Sequence, residues 1–87
     1  MKTKEDIINW IEENYPDETV LLADGLEEAF VGIAYQFNNA IAIYNKNKCI
    51  DIFVSSGMSY EEAIEYFDYN VQSAYVGENT PAFLDFY

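Results

Sequence analysis

The chain opens on a helical period. Ile7, Trp10 and Ile11 recur on one stripe with Ile8 beside it, while Glu5, Asp6, Glu12 and Glu13 take the other side. Thr3 stands at the N-cap position and Asp6 three residues on, a variant of the capping box. Pro16 ends the helix by Tyr15, because the residue before proline disfavours helical torsions. Residues 17–28 hold one short apolar run, 20–23, and then the turn signal Asp24-Gly25. A short strand and an irregular packed segment both fit.

The period then changes from helical to alternating. Residues 29–37 favour a strand through Phe30, Val31, Ile33, Tyr35 and Phe37, and Gly32 marks a bulge or a close approach. Asn38-Asn39 suits a hairpin turn, because asparagine tolerates positive φ. Residues 40–44 return. A two-residue turn there pairs Phe37 with Ala40 and Tyr35 with Ala42, and sets Val31, Ile33, Tyr35, Phe37 and Tyr44 on one face. A longer turn also fits, so the register stays open.

Two helices follow. Asn45 caps a helix over 46–55 whose stripe is Cys49, Ile50 and Phe53, widened by Ile52 and Val54 into a mostly buried element. Gly57 closes it. Ser59 and Glu62 form a full capping box, with Met58 and Ala63 as a hydrophobic staple. The stripe of Tyr60, Ala63, Ile64, Phe67, Val71 and Ala74 predicts a helix over about 60–75. Residues 77–81 read as a turn and 82–87 as a last strand. The order α-(β)-β-β-α-α-β segregates helices from strands. It predicts one α+β domain over residues 1–87, with a small antiparallel sheet of three to four strands and about three helices.

The second half carries a resemblance. The strings Lys48-Cys49-Ile50-Asp51-Ile52, Gly57-Met58-Ser59-Tyr60-Glu61-Glu62-Ala63, Glu65-Tyr66-Phe67-Asp68-Tyr69-Asn70-Val71 and Ala74-Tyr75-Val76-Gly77-Glu78-Asn79-Thr80-Pro81 resemble a group of small, largely uncharacterised bacteriophage and prophage proteins. The resemblance spans about residues 40–83. It implies a phage or mobile-element origin, and it implies no enzyme activity, cofactor or site residue.

Composition narrows the chemistry. Among 87 residues there are 16 carboxylates against 4 lysines, with no arginine and no histidine, for a formal charge of −12. No imidazole is present to act as a base, and no guanidinium to clamp a phosphate. Four lysines do not neutralise a nucleic-acid backbone, so direct nucleic-acid binding and docking on an anionic membrane are not expected. The single Cys49 permits no internal disulfide and suits a small core position in a reducing, cytoplasmic setting. No apolar run reaches the ~20 residues of a membrane span, and no export signal is expected at the start.

The candidate chemistry is therefore acidic. Glu12, Glu13, Asp17, Glu18, Asp24, Glu27 and Glu28 follow one another with no lysine between them. They form either an electronegative binding surface or a merely solubilising one. The turn Asp24-Gly25 with Glu27 and Glu28 is the best local candidate for a metal, yet it lacks the alternating acids of a calcium loop. Tyr66 and Tyr69 fall outside the apolar stripe beside Glu62 and Glu65, a pattern suited to an interface core with an acidic rim, or to packing under another element. Asn70 is placed to bond the 77–80 turn.

These features predict a non-enzymatic, phage-encoded interaction protein of the bacterial cytoplasm. It needs no cofactor. Its partner is a basic, nucleic-acid-binding host protein such as a defence nuclease, engaged in the manner of anti-CRISPR proteins and DNA mimics. The alternatives are an assembly protein or homodimer in which the charge serves solubility, and an acid-based enzyme or calcium protein.

Overall fold

The computed structural model describes residues 2–72 and 74–87. The first helix, α1, is Lys4–Asn14, and its N-terminus is reciprocally capped: Asp6 N–H donates to Thr3 Oγ1, and Thr3 N–H to the Asp6 carboxylate. Ile7 and Ile11 are buried. Trp10, expected on the same buried stripe, is partly exposed and packs its edge against Phe30 and Tyr15. No strand forms among residues 17–28. The segment is irregular, with one 3₁₀ turn at Glu27–Ala29, and it buries Leu26 and Ala29.

Strands β1 (Phe30–Gln36) and β2 (Asn39–Asn45) form the hairpin, with its turn at 37–38 rather than at Asn38-Asn39. Phe37 (φ 51°) and Asn38 (φ 69°) both take the left-handed conformation, so only the second turn position holds an asparagine. The pairs are therefore Tyr35 with Ala40, Ile33 with Ala42 and Gly32 with Ile43, two residues from the expected pairing, so each side chain keeps its face. Between Phe30 and Gly32 the register shifts through a bulge, which sets Phe30 across from Tyr44. This places Phe30, not Val31, in the core and leaves Val31 half exposed. The ring of Phe30 buries more apolar area there than a valine would.

The next helix, α2 (Lys46–Ser55), follows β2 directly, with Lys48 N–H donating to the Asn45 side chain. Cys49 and Ile50 are buried, Ile52 and Phe53 half-buried and Val54 exposed, so the helix is covered on one side only. Its end is a complete Schellman motif: Met58 N–H donates to Phe53 O and Gly57 N–H to Val54 O, with Gly57 at φ 119°. Helix α3 (Tyr60–Tyr66) starts on the expected Ser59–Glu62 box. Tyr60, placed on the buried stripe by the period, is exposed.

The predicted run to Tyr75 does not hold. At Phe67–Val71 the helix widens into a π turn, in which Gln72 N–H donates to Phe67 O, and residues 74–76 are not helical; Ser73 lies outside the described residues. The extra residue in the turn breaks the 100° period that puts Ala74 on the stripe and Tyr75 at the predicted helix end. Both are exposed.

The last strand, β3, is Ala82–Leu84, shorter than the expected 82–87, and it pairs with β2 in parallel. The sheet, in the order β1-β2-β3, is therefore mixed rather than antiparallel. The reason is the crossover. Two helices between β2 and β3 carry the chain back so that β3 enters beside Ile43 and runs along the last residues of β2 in the same direction.

The core lies on one face of this sheet. Phe30, Ile33, Ala42, Tyr44 and Phe83 join Ile7, Ile11, Leu26, Cys49, Ile50, Ala63 and Phe67 from the elements laid over them. Aromatic rings run through it in a chain, Tyr35–Tyr15–Trp10–Phe30–Tyr44–Phe83–Phe67, with centroids 5.0–6.1 Å apart. Such tilted and edge-on pairs add to burial. The other face holds Gly32, Ala34 and Gln36 of β1, Asn39, Ile41, Ile43 and Asn45 of β2, and Ala82 and Leu84 of β3. No residue of any strand is charged.

Candidate functional site

The acids of the first third separate into two groups. Glu12, Glu13 and Asp17 are exposed at the end of α1 and in the turn after it. Glu18 lies beside Tyr35, whose hydroxyl is held above its ordinary value first by desolvation and then by the Glu18 charge. Asp24 lies elsewhere, in an ion pair with Lys4 at 2.7 Å that holds the lysine above its ordinary pKa, with Glu27 adding to the effect. Glu28 is exposed. Glu18 thus neighbours the hairpin, and Asp24 the start of α1.

Asp24 instead shares a concave site with Tyr66. An apolar pocket of about 310 Å³ is lined by Leu22, Ala23, Asp24, Leu26, Phe53, Tyr66, Asn70, Val71 and Phe83, among others. Beside it, a shallow hollow of about 350 Å³ is lined by Met58, Glu62, Glu65, Tyr66, Tyr69 and Asn70. Tyr66 and Asn70 line both, forming the ridge between them. Tyr66 is fixed by edge-on packing against Phe53 at 4.9 Å, whereas Tyr69 is 79% exposed. The Glu62 carboxyl is held below its ordinary value by the Ser59 backbone and side chain, so it is anionic in the hollow at neutral pH.

Sequence period alone placed Glu62, Glu65, Tyr66 and Tyr69 together, and the hollow does bring them together. It did not find Asp24 beside Tyr66, nor the apolar lining from residues 22–26 and Phe83, because those contacts join segments far apart in the chain. The 77–80 turn is tied by Asn79 rather than Asn70: the Asn79 amide donates to Thr19 O at 3.0 Å and to Ala40 O at 3.2 Å. Thr80 Oγ1 accepts from Val76 N–H and donates to Gly77 O. No spacing signal marks Asn79, since both of its partners are non-local.

The remaining chemistry is structural. Burial pushes the Cys49 thiol up to about 11, which keeps it protonated and unreactive at neutral pH. Tyr44 is buried, its hydroxyl accepts from Ala23 N–H at 2.8 Å, and desolvation raises it above its ordinary value despite that bond. Among the described residues no group of three or more carboxylate or thiol ligands is arranged to hold a metal ion. Among them too, no helix is long and apolar enough to cross a membrane. No protein-family model, curated protein or solved structure matches the chain.

Proposed function

We propose that this chain is a non-enzymatic, phage-encoded binding protein that engages and inhibits a basic, nucleic-acid-binding protein of the bacterial host, such as a defence nuclease. The observation that carries the reading is the hollow on α3 and its π turn. Tyr66 and Tyr69 line it together with Glu62 and Glu65, and Tyr66 also lines the neighbouring pocket that Asp24 borders. Lysine and arginine side chains suit such a site, since their charges meet carboxylates while their stems and guanidinium planes rest on the rings. Lys4 neutralises Asp24, and among the described residues neither ion pair involves Glu62 or Glu65. Lys46 pairs with Asp85 at 3.6 Å and lies over the Phe67 ring, and Lys2 donates to Phe30 O.

The acid excess supports recognition by charge. Association is therefore steered by charge and weakened by salt. The test is inhibition of nuclease activity in host extract by the purified chain, with Tyr66→Ala/Tyr69→Ala as the variant. Inhibition that falls at least tenfold in the variant and weakens with added salt supports the reading. Inhibition that is absent, or equal in the variant, removes it.

A further inference from the structure

Recognition by charge leaves the apolar pocket beside the hollow unused. Its lining runs from buried Leu26 through half-buried Phe53, Val71 and Phe83 to Val76, which is 63% exposed. Among the described residues Asp24 is the charged one that borders it, and Lys4 balances that charge at 2.7 Å. The pocket therefore selects by shape and apolarity. Much of its wall comes from two irregular stretches, within 22–26 and 74–81. The Asn79 amide, bonded to Thr19 O and Ala40 O, ties the second stretch to the start of the first and to β2. A pocket already braced in this way costs little to fill. At about 310 Å³ it has about twice the volume of an apolar cavity that holds benzene, about 150 Å³, so one side chain of leucine to phenylalanine size enters it with its stem.

Resting on the binding role proposed above, we infer that this pocket takes an apolar side chain of the basic partner, while a lysine or arginine two residues away in the same extended segment crosses the Tyr66–Asn70 ridge into the hollow. The shared wall supplies the geometry. Tyr66 and Asn70 line both cavities, so a group in one is a single row of side chains from the other. In an extended segment, residues two apart point the same way at about 7 Å, the breadth of one intervening side chain. The π turn at Phe67–Val71 puts Tyr69, Asn70 and Val71 at this junction, and single π turns recur at functional sites. Charge complementarity names the occupant of the hollow. Glu62 and Glu65 line it, and among the described residues neither lies in an ion pair. A carboxylate entering there meets like charge in a chain of −12, whereas an ammonium or guanidinium meets opposite charge and rests on the exposed Tyr69 ring. The apolar side chain then carries affinity, and the cation carries the choice of partner.

NMR titration of the full chain tests this with the blocked peptide leucyl-glycyl-lysine, set against alanyl-glycyl-lysine and leucyl-glycyl-glutamate. The first peptide moves the amide signals of Val71 and Val76 together with those of Glu62 and Glu65. It binds about tenfold tighter than the alanyl peptide, which leaves the pocket unfilled, and about threefold tighter than the glutamyl one, which meets the acids. The two margins part with salt. Between about 0.1 and 1 M the screening length falls from about 10 to 3 Å, so the charge margin shrinks while the leucine margin holds. Ala74→Trp, a ring at an exposed position on the pocket wall, and Val76→Glu, a charge on that wall, each erase the leucine margin, and circular dichroism checks that both fold. Equal binding of the leucyl and alanyl peptides overturns the inference, as does a leucine margin that survives both variants, or a set of shifts confined to the hollow. The inhibitor reading fails separately. If both variants inhibit nuclease in host extract as wild type does, the pocket assignment falls and that reading stands. If the peptide margins appear while the nuclease is unaffected, the reading falls and the pocket assignment stands.

Discussion

The two faces of the small sheet differ in what surrounds them. One carries Phe30, Tyr44 and Phe83 into a chain of tilted and edge-on rings under the helices, and the carboxylates stand on the elements around that layer. The other carries glycine, alanine, asparagine and isoleucine, with no charge at all. A sheet of three strands has too little area to be stable alone, so its stability comes from the helix-covered side. The other side is covered only in part: Ile41 is buried there, while Ala34 and Leu84 are exposed. Stability is thus carried mainly by the helix-covered side.

The sharpest break in this comparison is a pair of truncations. Phe67→Ala removes a fully buried ring from the covered side and costs about 3–5 kcal/mol, a large part of the stability of a domain this size. Leu84→Ala on the open side costs less than about 1 kcal/mol. Urea unfolding of both variants, at a concentration that keeps the chain monomeric, checks the contrast. Equal losses would mean that the open face is also part of the core.

Next in size is the response to base. The folded state holds the Cys49 thiol up to about 11, above its ordinary 9.0. The neutral thiol therefore contributes stability that is fully present below pH 9 and lost as the pH rises through about 11, on the order of 2 kcal/mol. Cys49→Ala flattens that part of the alkaline limb, and in the native wild type the thiol resists alkylation at pH 8. No ionisable strand residue on the open face adds to this limb.

A smaller effect sits on the helical layer. Ser59→Ala removes half of the capping box on α3 and costs about 1 kcal/mol. Because the Glu62 carboxyl is held below its ordinary 4.5, its contribution is present above that pH and lost as the pH falls below it. Thermal melts of Glu62→Gln should therefore differ from wild type at pH 7 and converge with it toward pH 3.

At the tip between the two faces, replacing Phe37-Asn38 with Asn-Gly relieves the left-handed conformation of Phe37 and raises stability by about 1 kcal/mol, or some 4–8 °C in Tm. The smallest change is general: raising salt from about 0.1 to 1 M raises Tm slightly at neutral pH by screening the acids.

The elements legible before folding were those written in neighbouring residues. Thr3 with Asp6, Asn45 with Lys48, Ser59 with Glu62 and the glycine after α2 act within a few positions, so they mark three helix starts and one end correctly. The tyrosine–glutamate hollow was legible for the same reason, since Glu62, Glu65, Tyr66 and Tyr69 lie on consecutive turns. What failed was decided across the chain. Asn38-Asn39 is a good local turn, yet the turn formed at 37–38, in the register whose bulge brings Phe30 opposite Tyr44. The period past Phe67 predicts more helix, yet a π turn ends it.

By itself, then, the sequence determined an α+β chain with capped helices, a hairpin, a buried thiol and an acid excess too large for its lysines, because each depends on composition or on contacts within a turn or two. The tertiary structure alone decided that β3 returns parallel to β2, that Asp24 and Tyr66 border one pocket, and that Ile41 is buried on the second face of the sheet. Those outcomes depend on which distant segments share the limited covered side of the sheet, and no local period carries that information.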